Sequence, residues 1–386
     1  MSQLDCDIAI IGGGPIGMSL ALALRDSGLN IYLLEAREET QTSTDPRALA
    51  LSYGSRLLLQ RLGVWDDIPL ISAIRDIHIS QKGSFGRAVL HADELNIPAL
   101  GYVLPYHALQ SALHHAMRGT AINCLTGAPV THLHSEAEGA RIAYQYAGEE
   151  CVLNTRLAVV ADGGKMLESA YPPVVRDYGQ SAVIAHVTCT RPLADTAYER
   201  FTAQGPVALL PYKAGYELVW TTGHEAAREM LSWEEARFLA QLHQHFGDRV
   251  GEFLTLGTRT TFSLRLKRAP GTIGPHAVLL GNAAQTLHPV AGQGFNLGLR
   301  DAWELAQEIL QQAPQTIGSE SMLTRYRRTR QLDRSGGIRF TDGLVRMFSN
   351  DLPLVSAGRA AALTMLDILP GARKFVAKRM IFGAHG

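Results

Sequence analysis

The sequence predicts an α/β protein, α+β mixed in detail, in which one strand–turn–helix domain is interleaved with a separate β-sheet domain and followed by C-terminal helices. Two strand–turn–helix stretches far apart in the chain and a β-rich block between them carry this expectation. Near the N-terminus DIAII (7–11) leads into GGGPIG (12–17), and MSLALALRDSG then reads as a helix ending near Gly28. In the last third AVLL (277–280) leads through GNAAQTLHPVAGQGFNLGLRD (281–301) into AWELAQEIL, which carries helical spacing. Residues 180–265 between them read mostly as strands.

The first stretch is G-x-G-x-x-G in its required setting, between a strand and a helix, so the domain is Rossmann-like. Gly12 suits a tight turn, Gly14 lets the backbone approach a pyrophosphate, and Gly17 lets helix and strand pack closely. Glu35 ends the next strand, NIYLLEAR, 18 positions after Gly17, where a carboxylate can accept from ribose hydroxyls. Strand, helix and acid together indicate a dinucleotide site; a glycine-rich turn that binds nothing is the alternative.

The chain continues through TSTDPRALALSYGSRLLLQRLGVWDDI, read as a loop and an amphipathic helix with Leu51, Leu58, Leu59 and Leu62 on its apolar side. Arg47 stands just before it, within reach of a phosphate or a ring edge. Residues 75–100 alternate as strands, and Tyr102 to Met117 returns to helical spacing with Gln110 on that helix. The strands of 121–160 end at Ala161-Asp162-Gly163-Gly164, a turn that places Asp162 at the end of a buried strand. The insertion SWEEARFLAQLHQHFG reads as one helix opened by a capping box, Ser232 with Glu235. LTRYRRTRQLDR reads as a solvated basic helix face. The segment from Ile338 mixes apolar runs with seven Arg or Lys against three Asp, and leaves a helical cap, a partner surface or a membrane-surface contact open. The expected division is 1–74, 101–175 and 266–335 for the Rossmann-like domain, 75–100 and 176–265 for the sheet domain, and 336–386 for the helical segment.

Composition narrows the function classes. At 386 residues, with 36 basic against 36 acidic side chains, the chain carries no global basic field that would call for nucleic acid. Cys6, Cys124, Cys151 and Cys189 form no C-x-x-C pair, which argues against a zinc ribbon and a disulfide framework and fits a reducing, cytoplasmic compartment, and no metal is expected. The apolar run Ile8 to Leu24 is interrupted by Gly12, Gly13, Gly14 and Pro15, so it reads as neither a signal peptide nor a span.

GGGPIG with Glu35, ADGG at 161–164 and GNAAQTLHPVAGQGFNLG, in this order and over essentially the full length, resemble the FAD-dependent aromatic hydroxylase family typified by para-hydroxybenzoate hydroxylase. Within it DPRALAL (45–51) and ERFTAQGPVALLP (199–211) are similar to the ubiquinone-biosynthesis hydroxylases that act on polyprenylated methoxyphenols. The resemblance implies FAD, with Gly12, Gly14, Pro15 and Gly17 at its pyrophosphate, Glu35 at the adenosine ribose, and Arg47, Gln110 and Asp162 along it. Asn282 would lie by the pyrophosphate and ribityl chain, and the backbone of Gly292, Gly294, Phe295 and Asn296 beside the flavin ring. It also implies NAD(P)H as co-substrate, a prenylated phenol and O2, the oxygen passing through a flavin C4a-hydroperoxide, and leaves contact with other ubiquinone-biosynthesis proteins or the inner membrane open. His288, beside Pro289, is the one candidate for acid–base work, while Phe201, Trp220 and Phe295 are candidates for an apolar tail pocket. The chain departs from the family at Lys165, Met166 and Leu167, where Ser and Arg are usual, and at Tyr106, where relatives often have Arg. A flavin reductase or dehydrogenase of a prenyl lipid and a non-catalytic flavin-binding assembly subunit are the competing readings; oxygen consumption in step with hydroxylated product separates the first.

Overall fold

The structure is a computed structural model that describes residues 4–38, 45, 47–165, 174–269, 274–286, 293–348 and 353–383. The first part of the chain runs through β1 (Cys6–Ile11), α1 (Pro15–Ala23), β2 (Ile31–Glu35), β3 (Ala48–Ser52), α2 (Tyr53–Arg61), β4 (Ser72–Ile74), β5 (Asp76–Gln81), β6 (Arg87–His91) and β7 (Gly101–Pro105). It continues with α3 (Tyr106–Met117), β8 (Asn123–Thr126), β9 (Val130–Ser135), β10 (Ala140–Tyr146) and β11 (Glu149–Val160). The middle holds β12 (Val174–Cys189), β13 (Thr196–Thr202), β14 (Gly205–Tyr212), β15 (Gly215–Gly223), α4 (His224–Ser232), α5 (Glu235–Phe246), β16 (Phe253–Leu256) and β17 (Thr260–Arg268). The last part is β18 (Ala277–Leu279), β19 (Gln285–Thr286), α6 (Gln293–Leu310), α7 (Glu320–Phe348), α8 (Pro353–Ile368) and α9 (Pro370–Phe382).

Three sheets organise these elements. The first has the order β8-β2-β1-β11-β10-β9, with β18 added on β11. Its β8, β2, β1, β11 and β18 run parallel. Parallel strands covered on both faces read as continuous apolar runs, and Ile8, Ala9 and Ile10 of β1 are each 0% exposed. From β1 the chain steps to β2 on one side and later to β11 on the other, so the order reverses at β1, which is where open α/β sheets collect ligands. The second sheet, β19-β17-β12-β15-β14-β13-β5-β6 with β16 on β12, is antiparallel except where β13 runs parallel to β5. A small sheet, β3-β7-β4, lies between the two.

Several local expectations change. Leu51 lies in β3, so the amphipathic helix begins only at Tyr53, where the Ser52 hydroxyl caps it by accepting from the Ser55 N–H at 3.2 Å. Likewise residues 101–105 form β7 and the helix starts at Tyr106, because Pro105 cannot continue a helix from within. The expected single helix of 232–247 is preceded by another: Ser232 ends α4 and donates to the Glu229 carbonyl, while α5 starts after Glu234 with no side-chain cap. The basic stretch of α7 is not a purely solvated face. Tyr326 and Arg330 are each 1% exposed, and Arg330 donates to Asp301 of α6 at 2.7 Å and reaches Asp333 at 2.9 Å. Charge at this position docks the helix against α6 instead of meeting water.

Asp301 is 0% exposed, so removing its cation strands a buried carboxylate. Arg330→Met should lower unfolding free energy by about 3–5 kcal/mol in urea titration, whereas a change under about 1 kcal/mol, the range of an exposed pair, would show that the ion pair is solvated in practice.

Candidate functional site

The site forms where the carboxyl ends of β1, β2, β11 and β18 meet the start of α1. Gly12 has φ +112, and a Cβ there would lie 2.6 Å from the Ala161 carbonyl oxygen, so the turn after β1 is pressed against the end of β11. A Cβ on Gly17 would overlap the Gly12 carbonyl oxygen. Gly14 is different: nothing lies within 4 Å of the position its Cβ would take. It is the N-cap of α1, no side chain caps that helix, no acid stands in its first turn, and Pro15 occupies N1. Free N–H groups and the positive end of the helix dipole therefore face open space, a cradle for an anion.

Glu35, at the end of β2, accepts from the Gly13 N–H at 2.6 Å and from the Arg37 backbone and Nε, each at 3.0 Å. Burial alone would raise its pKa, but the Arg37 hydrogen bonds and charge, with the Gly13 N–H, hold it below the ordinary carboxylate value. A carboxylate has about four acceptor sites and three are used here, so one remains for a ribose hydroxyl. Arg47 pairs with Asp45, its Nε 2.8 Å from Oδ1, and its guanidinium lies over the rings of Phe262 at 5.1 Å and Tyr106 at 5.9 Å. Burial pushes the Tyr106 hydroxyl up, against the pull of Arg37 and Arg47. Gln110, one turn further along α3, is 6% exposed and its Oε1 has no hydrogen-bond partner among the described residues. A buried orphan acceptor of this kind is what a ligand hydroxyl would satisfy.

The other two motifs are brought to the same place by close backbone packing. Asp162 accepts from the Gly164 N–H at 2.8 Å, and a Cβ on Gly164, at φ +92, would lie 3.3 Å from the Asn282 carbonyl oxygen. Asn282 itself is exposed in the short turn Gly281–Ala283. Gly281 and Gly298 both meet Ile16 of α1, at 3.3 and 3.0 Å from their would-be Cβ positions, which brings α6 against α1. Gly294 is unobstructed, and Phe295 is half-buried against the core around α1 and α6. Asn296 is 2% exposed and its side chain is engaged: Oδ1 accepts from the Ser52 N–H at 2.8 Å and the Ser55 hydroxyl at 2.7 Å, and Nδ2 donates to the Ala50 carbonyl at 3.0 Å. Asn296 thus fixes the first turn of α6 and leaves backbone for a ligand.

Not every sequence candidate joins this assembly. Trp220 is 4% exposed and packs edge-on against Phe238 and His245, in the core between the second sheet and α5. Phe201 packs with Ala88 and Leu363, under α8. His288, Pro289 and Gly292 lie outside the described residues. Ile16, Ser52 and Ser55 were not singled out from sequence; only the serine pair at the start of α2 carried a local signal, that of an N-cap, while Gly298, whose missing Cβ leaves room for a flat ligand in the sequence reading, packs on Ile16.

The open cradle, the spare acceptor on Glu35 and the orphan on Gln110 fit a flavin dinucleotide, and comparison with known proteins agrees. The chain matches the FAD binding domain family over residues 5–336 and belongs to it, an FAD-binding flavoprotein of the aromatic hydroxylase and monooxygenase class. More particularly, it is 34% identical over 388 residues to an uncharacterized protein of Synechocystis, covering 98% of this chain and 94% of the relative. It is 30% identical to the ubiquinone hydroxylase UbiL of Rhodospirillum rubrum (94% and 86% covered) and 29% identical to the 3-demethoxyubiquinol 3-hydroxylase of Escherichia coli (94% and 97%). The fold is that of p-nitrophenol 4-monooxygenase PnpA from Pseudomonas putida, with TM-score 0.76 at 17% identity, covering 98% of this chain and 97% of that one.

Because its pKa is held below the ordinary carboxylate value, Glu35 contributes stability that is fully present above that value and lost as pH falls through its folded pKa. Stability measured against pH should therefore lose part of its acid-side slope in Glu35→Gln, and an unchanged slope would remove Glu35 from the charged network. Gly17→Ala should cost about 1–3 kcal/mol through overpacking on the Gly12 carbonyl, read by thermal unfolding against wild type.

Proposed function

We propose that this protein hydroxylates the aromatic ring of a polyprenylated methoxyphenol in ubiquinone biosynthesis, using FAD, NAD(P)H and O2. The observation that carries this reading is the convergence of the three motifs on one open cradle, in a chain similar over nearly its full length to ubiquinone hydroxylases. The α1 N-terminus with Gly12, Gly14, Pro15 and Gly17 would hold the pyrophosphate, and Glu35 the adenosine ribose. Arg47, Gln110, Asp162 and Asn282 would line the middle of the cofactor, and the backbone of Gly292 to Asn296 its ring. When bound, FAD supplies acceptance of hydride from NAD(P)H and activation of O2.

The chain's own work is orientation, charge and exclusion of water. The start of α6, clamped through Asn296 to Ser52, Ser55 and Ala50, presents unpaired N–H groups and a positive dipole end where negative charge develops on a reduced ring. Neutral Asn282 can donate and accept at once, so it bonds a hydroxyl or phosphate without a fixed charge. His288 and Pro289 stand between β19 and α6 in sequence, at the entry to that helix, and Phe295 beside the ring is an apolar contact for the substrate.

Among the described residues no helix is long and apolar enough to cross a membrane. The last two helices instead expose Met365, Ile368, Leu369 and Phe375, with Lys374 and Lys378 exposed beside them, which supports peripheral contact with an anionic bilayer holding a prenylated substrate. Flotation with anionic vesicles should fall for Ile368→Ser with Phe375→Ser; unchanged flotation would remove this surface.

Gly14→Trp should fold and lose flavin, because the indole would enter the open space in front of Gly14. Normal flavin content in the folded variant would defeat the placement. With a short-chain prenylated methoxyphenol, purified protein should consume O2 in step with hydroxylated product; reduction of the flavin without product across several phenols would favour a dehydrogenase of a prenyl lipid.

A further inference from the structure

A phenol hydroxylase needs a group to take the proton from the substrate hydroxyl, and among the described residues the site above holds none. A phenolate is a far better nucleophile than a phenol, and a phenol of pKa near 10 is almost wholly protonated at neutral pH. The second sheet holds a carboxyl placed for this. Glu199 lies in the middle of β13, directly across from Ile79 of β5 and Ala208 of β14. The row continues through Val219 of β15, Ile184 of β12 and Thr260 of β17.

Which way this row points follows from alternation along the strands. Arg200, next to Glu199, donates to the Ser80 hydroxyl at 3.0 Å, on the face that also carries Tyr198, packed on Phe246 of α5. Glu199 therefore projects from the opposite face. On that face, two residues earlier in β13, Ala197 packs with Ile74, Val103 and Tyr212, so the face lies on the small sheet whose β3 and β7 lead to Arg47 and Tyr106. The same face carries Phe262, two residues along β17 from Thr260, and the Arg47 guanidinium rests on its ring. Two residues further along β13 Phe201 lies beneath α8, so Glu199 stands between the small sheet and α8, on the face of the second sheet that carries Phe262 and meets Arg47, with a small neighbour, Ala208, beside it.

Among the described residues no hydrogen bond or ion pair engages this carboxyl, which is half-buried by surface area. The charged groups nearby are turned elsewhere or engaged. Arg200 and His78 project from the far face; Asp76 pairs with His91 at 2.7 Å; His186 pairs with Glu217 at 3.2 Å on the near face; Asp367 of α8 accepts from the Val89 N–H at 3.1 Å. Tyr212 shares the near face, its hydroxyl pushed up by burial, and Arg359 of α8 is 4% exposed. None of these sets the state of Glu199.

Taking the substrate to be a phenol, as above, we propose that Glu199 is the group that accepts the proton of its ring hydroxyl. The phenolic O–H bond breaks, an O–H bond forms on a Glu199 carboxyl oxygen, and the electron pair stays on the phenolate; no oxidant is consumed in this step. Desolvation suits the carboxyl to the task, since burial alone raises it from 4.5 to about 7. The gap to a phenol near 10 narrows from about six units to about three, and the basic form still predominates above neutrality.

The test uses full-length FAD-loaded protein, wild type, Glu199→Gln and Glu199→Asp, with a short-chain prenylated methoxyphenol as probe; binding is read without oxygen and turnover with NAD(P)H and oxygen. Wild type should bind the phenol, and its kcat should rise with pH through about 7 as Glu199 loses its proton. Glu199→Gln should keep its flavin and its affinity for the probe and show a kcat lower by about 100-fold, with its neutral pH dependence gone. Glu199→Asp should restore part of both. Without any ligand, an infrared carboxyl band titrating near neutrality should be present in wild type and missing in Glu199→Gln. A kcat and pH profile unchanged in Glu199→Gln, or no such carboxyl titration in wild type, would overturn the proposal. A wild type with the infrared titration that binds no phenol would overturn the substrate reading, and the proposal with it.

Discussion

The structure depends first on backbone-to-backbone closeness around Gly12. The turn after β1 sits against Ala161 at the end of β11 and under Gly17 of α1, and each of these approaches leaves no room for a Cβ. Glycine is costly in a folded chain because it loses the most conformational freedom, so its use here is an exchange of backbone entropy for proximity. What proximity achieves is the convergence of three parallel strand ends on one helix N-terminus. Gly14, by contrast, is unobstructed, and that difference between three glycines of one turn separates what holds the fold from what faces a ligand.

A second constraint positions α6, whose first turn would lie against the flavin ring. Gly281 and Gly298 meet Ile16 and set how near α6 comes to α1, while Asn296 fixes its start to the small sheet and to α2. From the other side Asp301 holds Arg330 of α7, and Asp333 joins Arg330 to Arg300 at 2.9 Å. The C-terminal helix closes the circle, since the Ser52 hydroxyl that caps α2 also donates to the Ile381 carbonyl at 2.9 Å. A buried ion pair is weak evidence for stability on its own, because desolvation offsets much of its attraction. Here its evident consequence is register, with a fixed contact between the cofactor helix and the segment that follows it.

Much of this was legible from local pattern. The strand, turn and helix at each end of the chain, the acid after β2 and the fold class follow from periodicity and turn chemistry, both short-range in sequence. What escaped is equally instructive. Ser232 followed by Glu235 has the spacing of a capping box, yet the hydroxyl serves the helix before it, because spacing does not say where a helix ends. Arg330 sits in a run so basic that solvation is the natural expectation; its burial is decided by Asp301, which lies 29 positions earlier. Trp220 and Phe201 have the chemistry of pocket residues, but the pleat turns one toward α5 and the other beneath α8.

Glu199 shows the boundary between the two kinds of information. In sequence it is one charged residue in a strand, beside an arginine that would be expected to neutralise it. Only pairing on both sides, with β5 and β14, establishes that Arg200 faces the other way and that the carboxyl is half-buried without a partner among the described residues. The sequence by itself determined the nucleotide-binding turn, the family and the alternation of strands and helices, since those are fixed by residues a few positions apart and by backbone chemistry glycine and proline announce. The tertiary structure alone decided which polar side chains are buried, which face of the second sheet meets the small sheet, and which carboxyl has no partner among the described residues, because burial and pairing are properties of residues distant in the chain that only packing brings together.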